Sequence, residues 1–247
     1  MEILYRILCL VLGYAFGLFQ TAYIIGKIHH IDIREYGSGN SGATNALRVL
    51  GKRAGLMVYV GDCMKCIIAC LIARLVFNQI AYDMTLLMVI YTGLGVVLGH
   101  IFPFYMGFKG GKGISAISGA IISLLDLRII LPCLVVFILV VAISRYVSLG
   151  SIVLMLQMWI MYIVFVLLDP EKIYHLGSAY VLESIIVLGC LAGLAIYKHK
   201  ANIVRLIHGE ESKLGQKKKE TIAEEKAETE AKEAEQESIA DVEEEKA

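Results

Sequence analysis

Long apolar runs at 3–26, 54–77, 84–104, 129–144, 149–168 and 179–197 are the strongest constraint on this chain. A run of about 18 or more such residues reads as a membrane-spanning helix, because inside a bilayer each backbone polar group must be satisfied within its own segment. A shorter run, 114–125, reads as a short span or half of a helix that re-enters. The expectation is therefore an all-α membrane protein, a polytopic bundle of about seven transmembrane helices. Composition agrees, with 57% hydrophobic residues and a mean hydropathy of +0.69, too apolar for an ordinary soluble domain. The first run is kept as a span and not a signal peptide, since its charges follow it and no small-residue cleavage pattern is apparent.

A net charge of zero hides an asymmetry. From Gly209 onward the chain holds 14 acidic and 7 basic residues, leaving 9 acidic and 16 basic for the rest. Two parts follow: a transmembrane domain at 1–208 and a net acidic cytoplasmic tail at 209–247. The tail is rich in Glu, Lys and Ala, lacks aromatics and reads as disordered or as a solvated helix. Among the bases, Lys27, Arg34, Arg48, Lys52 and Arg53 follow the first span. Lys109 and Lys112 follow the third, Arg145 the fifth, and Lys198, Lys200 and Arg205 the last. The opposite connections offer only Arg6, Arg74, Arg128 and Lys172. The positive-inside rule then places the N-terminus outside and the C-terminus in the cytoplasm.

On that topology four polar segments share one face: "GSGNSGATN" at 37–45 with its flanks, "GHIFPFYMGFKGGKG", "RYVSLGS" and "YKHKANIVRLIHGEE". Glycines let successive N–H groups turn toward an anion, and lysine and arginine supply charge, arginine with a bidentate grip. The combination fits an anionic, phosphorylated ligand on the cytoplasmic side. It is not a nucleotide P-loop, because Gly113 and not Ser or Thr follows Lys112. "GSGNSG" is no dinucleotide fingerprint either, since no strand precedes it.

Asp62 and Lys65 lie within the second span at i, i+3, where a mutual salt bridge is the plain reading. The six cysteines fall in apolar runs; Cys63 and Cys66 form a CxxC with no second pair to complete a metal site. No histidine is followed by Asp at the H-x4-D spacing of many glycerolipid acyltransferases, and no G-x-S-x-G elbow occurs. An enzyme built from these residues works without a strong general base.

Taken in order, "GSGNSGATN" with Arg48 downstream, "GHIFPFYMGFKGGKG", "SLGS" after Arg145, and "HKANIVRLIHGEE" resemble the bacterial integral-membrane acyl-phosphate:glycerol-3-phosphate acyltransferases (the PlsY family) over about 4–215. The resemblance implies transfer of a fatty acyl group from acyl phosphate to the 1-hydroxyl of glycerol 3-phosphate. The products would be lysophosphatidic acid and inorganic phosphate, made for phospholipid biosynthesis at the bacterial cytoplasmic membrane. It also implies no cofactor or metal, no nucleic-acid partner, and a separate enzyme that supplies acyl phosphate. By position, Ser38, Arg48, Lys112, His199 and Asn202 would hold glycerol 3-phosphate, with Arg48 and Lys112 on the phosphate. Gly110 and Gly111 would offer backbone N–H groups to acyl phosphate or the tetrahedral oxyanion. Gly39, Asn40, Thr44, Asn45, Ser148 and Ser151 would complete the pocket, Ser38, Arg48, Lys112, Ser148 and Asn202 being the catalytic set. Arg205 and Glu210 look like supports of the last loop. Gly150 departs from the family's more frequent serine or alanine, and Cys66 from its glycine. The rival class is a transporter or channel for a phosphorylated metabolite, which would place polar groups near the midplane and show internal repeats; no repeat is visible.

Overall fold

The computed structural model describes residues 1–168 and 170–215, and every regular element among them is helical. In chain order these are α1 (Glu2–Gly17), α2 (Thr21–Ile28), α3 (Ala43–Val49), α4 (Lys52–Ile80), α5 (Thr85–Ile101), α6 (Ile114–Ser123), α7 (Leu127–Ser144), α8 (Val147–Leu168), α9 (Pro170–Tyr174), α10 (Val181–Lys198) and α11 (Lys200–Ile207).

Six segments of the described residues are long and apolar enough to cross a membrane: Glu2–Ile28, Lys52–Ile80, Tyr82–Met106, Leu127–Ser144, Val147–Leu168 and Ser178–Lys198. The expected seventh is α6, of 10 residues. At 1.5 Å per residue it covers about 15 Å, roughly half of a bilayer's hydrocarbon core. The expected seventh crossing thus falls to a helix of half length, beside six segments long enough to span on their own.

The first span is also broken. Between α1 and α2 the chain leaves the helix at Gln20, whose carboxamide nitrogen is buried and shared among the carbonyls of Gly17, Gly99 and His100 at 3.1–3.3 Å. Just before the break, α1 packs backbone to backbone on α5. A Cβ added at Gly13 or Gly17 would overlap the α5 backbone, and one at Gly95 or Gly99 would overlap α1. Small residues one turn apart on both helices permit this approach. It fixes the α1–α2 break against the C-terminus of α5, where Tyr14 and Tyr105 add hydroxyl bonds to the carbonyls of Phe102 and Leu18.

The large core runs through α5, α4, α6, α8 and α10, with Leu87, Met88, Val97, Ile117, Met158, Tyr162 and Leu191 fully buried. A smaller cluster of Ala22, Ile25, Ile33, Ala46, Ala54 and Val58 holds α3 and the preceding loop against α2 and α4. On the lipid-facing side, Leu131, Val135 and Leu139 of α7 are exposed, as membrane contact requires. At Gly150 any side chain would press on Val141 and Phe137, so the departure to glycine lets α8 sit close to α7.

The compact body runs from Met1 to Lys213, past the expected boundary at 208, because the segment after α11 folds back and buries Glu211. From 216 on, the acidic tail lies outside the described residues.

Candidate active site

Lys112 ends the loop between α5 and α6, one residue before Gly113 caps the half-length helix. Its ammonium donates to Asn202 Oδ1 at 2.6 Å, joining that loop to α11. Burial pushes the Lys112 pKa down to about 8; Glu211 opposes the shift, while the charges of Arg205, Arg48 and Lys198 reinforce it. A cation surrounded by cations and only partly neutralised is poised for a further anion.

The nearest negative charge is Glu211. Its Oε1 accepts from Ser148 Oγ at 2.8 Å and Asn202 Nδ2 at 2.7 Å, and its Oε2 accepts from Arg205 Nε at 2.7 Å. Burial pushes this carboxyl's pKa up, but the bonds from Asn202, Arg205 and Ser148 outweigh it, so it lies below the ordinary range and stays ionised at neutral pH. Asn202 is thereby oriented unambiguously, with its oxygen toward the ammonium and its nitrogen toward the carboxylate. The chain Lys112–Asn202–Glu211–Ser148 connects three of the four polar segments expected to share a face.

The fourth segment enters through Arg48 on α3. Its side chain is exposed, has no carboxylate partner among the described residues, and lies close enough for its charge to act on Lys112. His199, between α10 and α11, is buried and engages its Nδ1 with the Ala195 carbonyl at 2.8 Å. That bond places the ring hydrogen on Nδ1 and leaves Nε2 as an acceptor. Burial lowers the His199 pKa, so the ring is neutral at pH 7.

Several expected site residues have other work. Asn45 is buried and its amide is saturated within its own loop: Oδ1 accepts from Ser38 N and Oγ, and Nδ2 donates to the carbonyls of Ile33 and Tyr36. It shapes the "GSGNSGATN" loop and offers no free group to a ligand. Gly37, at φ +63, could carry no side chain without overlapping Asn45. Ser38 is exposed beside this clip, and Gly39 closes a turn on the Tyr36 carbonyl. Among the described residues, the side chains of Asn40 and Thr44 have no hydrogen-bond partner and remain open to a ligand. Ser151 Oγ, though buried, donates to the Val147 carbonyl inside its own helix.

Two corrections concern the glycine loop and the last segment. The amides of Gly110 and Gly111, expected to face an anion, donate to the carbonyls of Ile101 and His100 at 3.1 Å each, because the loop doubles back on the end of α5. Glu210, expected as the support of the last loop, is exposed and contributes only its backbone N–H to the Arg205 carbonyl; the buried support is Glu211. Sequence reasoning missed Glu211. The positive φ of Gly209, +72°, reverses the chain there, and that turn decides which of two adjacent glutamates points inward.

Immediately beyond Lys112 and Gly113, an apolar cavity of about 220 Å³ opens between α4, α6, α7 and α8. Ile114 and Ser118 of α6, Tyr59 of α4, Leu134 and Phe137 of α7 and Leu154 of α8 line it. A charged cluster and an oily cavity therefore adjoin at one point of the chain. Among the described residues, no group of three His, Cys, Asp or Glu side chains is placed to hold a metal ion.

A family model described as glycerol-3-phosphate acyltransferase matches residues 7–209. The chain belongs to that family. A glycerol-3-phosphate acyltransferase of Clostridioides difficile (strain 630) is 43% identical over 219 residues, covering 88% of this chain and 100% of the relative. Two crystal structures of PlsY (YgiH), an integral-membrane glycerol 3-phosphate acyltransferase, superpose on the chain. Its glycerol 3-phosphate form aligns with a TM-score of 0.71 at 31% identity, covering 85% of this chain and 96% of that one. The lysophosphatidic acid form aligns at 0.69 and 30% identity, covering 85% and 95%. The all-helical, multi-pass architecture and membership of the PlsY family are thus established for the chain.

Proposed function

We propose that the protein is a membrane acyltransferase that moves a fatty acyl group from acyl phosphate to the 1-hydroxyl of glycerol 3-phosphate, yielding lysophosphatidic acid and inorganic phosphate for phospholipid synthesis. The observation that carries this reading is the junction at Lys112–Ile114. There, Arg48, Lys112 and Arg205 gather around a polar cluster while the apolar cavity begins two residues on, at Ile114. One substrate is all headgroup; the other needs both a phosphate site and room for an alkyl chain.

The chemistry asks little of a general base. The acceptor's 1-hydroxyl oxygen attacks the acyl carbonyl carbon, the carbon–oxygen bond to phosphate breaks, and the hydroxyl proton leaves with the departing phosphate. Acyl phosphate is a mixed anhydride whose leaving group is already good, so positioning suffices, and Lys112 and Arg48 hold the acceptor's phosphate. His199 Nε2 and the Asn202–Glu211 pair orient the acceptor, and their fixed bonds make the site pre-organised. Asn40, Thr44 and Ser38 border the same face, and Ser148 is held on Glu211. The relatives' names support the acceptor; acyl phosphate as donor rests on the sequence motifs and the shape of the site. In this reading the bacterial cytoplasmic membrane holds the protein with its N-terminus outside, and the site faces the cytoplasm, where the basic loops lie and glycerol 3-phosphate is made. An enzyme that makes acyl phosphate serves it.

The test is phosphate release by purified protein given palmitoyl phosphate, with and without glycerol 3-phosphate, beside palmitoyl-CoA as donor and Lys112→Ala as control. Acceptor-dependent release from palmitoyl phosphate, lost in the variant, is the expected result. Turnover with palmitoyl-CoA alone overturns the donor, and no turnover with either donor overturns the enzyme.

A further inference from the structure

Three ionisable side chains lie inside the bundle outside the chemistry just described: Asp62 and Lys65 on α4, 0% and 5% exposed, and His100 near the end of α5, 2% exposed. Burying a lone charge at such depth costs several kcal/mol, so each must be held by partners. Asp62 and Lys65 do form the expected ion pair, at 2.8 Å. Thr21 Oγ donates to the same carboxylate oxygen at 2.9 Å. The ammonium also donates to the Phe19 carbonyl at 2.5 Å, within the break between α1 and α2. Its remaining short contact is His100 Nδ1, at 3.0 Å.

An ammonium has hydrogens and no lone pair, so Nδ1 must be the acceptor and the ring hydrogen resides on Nε2. A salt bridge that merely tolerated burial would not need a histidine ring as third partner. The far side of that ring abuts the glycine loop: a Cβ at Gly111 would overlap His100 Nε2. The His100 carbonyl accepts the Gly111 N–H, and it also accepts from Gln20. One residue later comes Lys112.

We propose that Asp62, Lys65 and His100 form a positioning strut in which the fixed ammonium locks the imidazole, and the imidazole with its own carbonyl locks Gly111, so that Lys112 is presented to Asn202 and to the acceptor's phosphate. These are positioning residues; none touches substrate. The kinetic part of the proposal rests on the acyl-transfer reading, whereas the mechanical part does not.

The test is the double variant Asp62→Asn/Lys65→Met, which removes both charges together and leaves no unpaired ion, an exchange that is often neutral for stability. Hydrogen exchange of the amides in 107–113 is expected to accelerate about tenfold or more while the spans keep wild-type protection. KM for glycerol 3-phosphate rises about tenfold, with kcat within about threefold, the pattern of lost ground-state grip. His100→Leu is expected to reproduce both effects. His100→Gln, whose carboxamide oxygen can still accept from Lys65, recovers part of them and serves if the double variant does not fold. Unchanged loop exchange and KM in His100→Leu, or acceleration spread evenly over all spans, overturns the strut. Because exchange needs no turnover, a wild type inactive on both donors sinks the acyl-transfer reading alone. An active wild type with unaffected strut variants sinks the strut alone.

Discussion

Glu211→Gln isolates the electrostatic part of the site. Glutamine keeps the shape and one acceptor oxygen for Ser148 and Asn202, and removes the negative charge that opposes the cations around Lys112. The wild-type ammonium already titrates at about 8 because burial outweighs Glu211. Opposite unit charges a few ångströms apart, at an effective dielectric near 20, attract by a few kcal/mol, and solvent at the mouth reduces this to about 1.4, one pKa unit. Loss of the attraction disfavours the charged ammonium, so the Lys112 pKa falls to roughly 7 in the variant. Since the charged form grips phosphate, kcat/KM for glycerol 3-phosphate, which reports the free enzyme, should bend downward near pH 8 in the wild type and about one unit lower in Glu211→Gln. The assay is initial phosphate release between about pH 6 and 9.5, with acceptor varied at palmitoyl phosphate well below its KM. Ionisation of the substrates affects both enzymes alike and cancels in the ratio. A bend that stays in place, or moves up, refutes the assignment of that ionisation to Lys112 under the influence of Glu211.

Glu210→Ala should leave rate and melting temperature near wild type, whereas Glu211→Ala in the same assays should lose at least about tenfold in kcat/KM, since three donors lose their acceptor; equal effects would reject the reassignment. Asn45→Ala removes four hydrogen bonds of a buried amide and should cost about 2–4 kcal/mol, read as a lowered thermal midpoint in detergent; an unchanged midpoint counts against its role as the loop's clip. Leu134→Trp narrows the apolar cavity and should shift competition between decanoyl and palmitoyl phosphate toward the shorter chain; an unaltered ratio would place the acyl chain elsewhere.

Hydropathy alone located the six long spans and singled out 114–125 as short, because burial in lipid writes itself into composition residue by residue. The Asp62–Lys65 pair was legible from its i, i+3 spacing, and the gathering of the segments that carry Lys112 and Asn202 from basic loops placed on one face, Asn202 itself being singled out only by the family resemblance. What stayed hidden depends on backbone geometry that composition does not encode. Gln20 breaks the first span although a lone glutamine in an apolar run reads as a tolerated polar residue. Gly110 and Gly111 look like anion donors, yet the return of their loop onto α5 gives both amides a carbonyl. Glu210 and Glu211 are chemically identical neighbours, separated only by a turn at Gly209. His100 gave no signal beyond its failure to fit an H-x4-D motif.

The joining of Lys112 to Asn202 and of Ser148 to Glu211 also orders events in time. A ribosome delivers Lys112 and the cavity beside it long before it delivers α11 and the carboxylate that follows. A nascent chain with every span already made still lacks Asn202 and Glu211, which close the cluster around Lys112. The charged cluster is therefore the last part of the molecule to be completed.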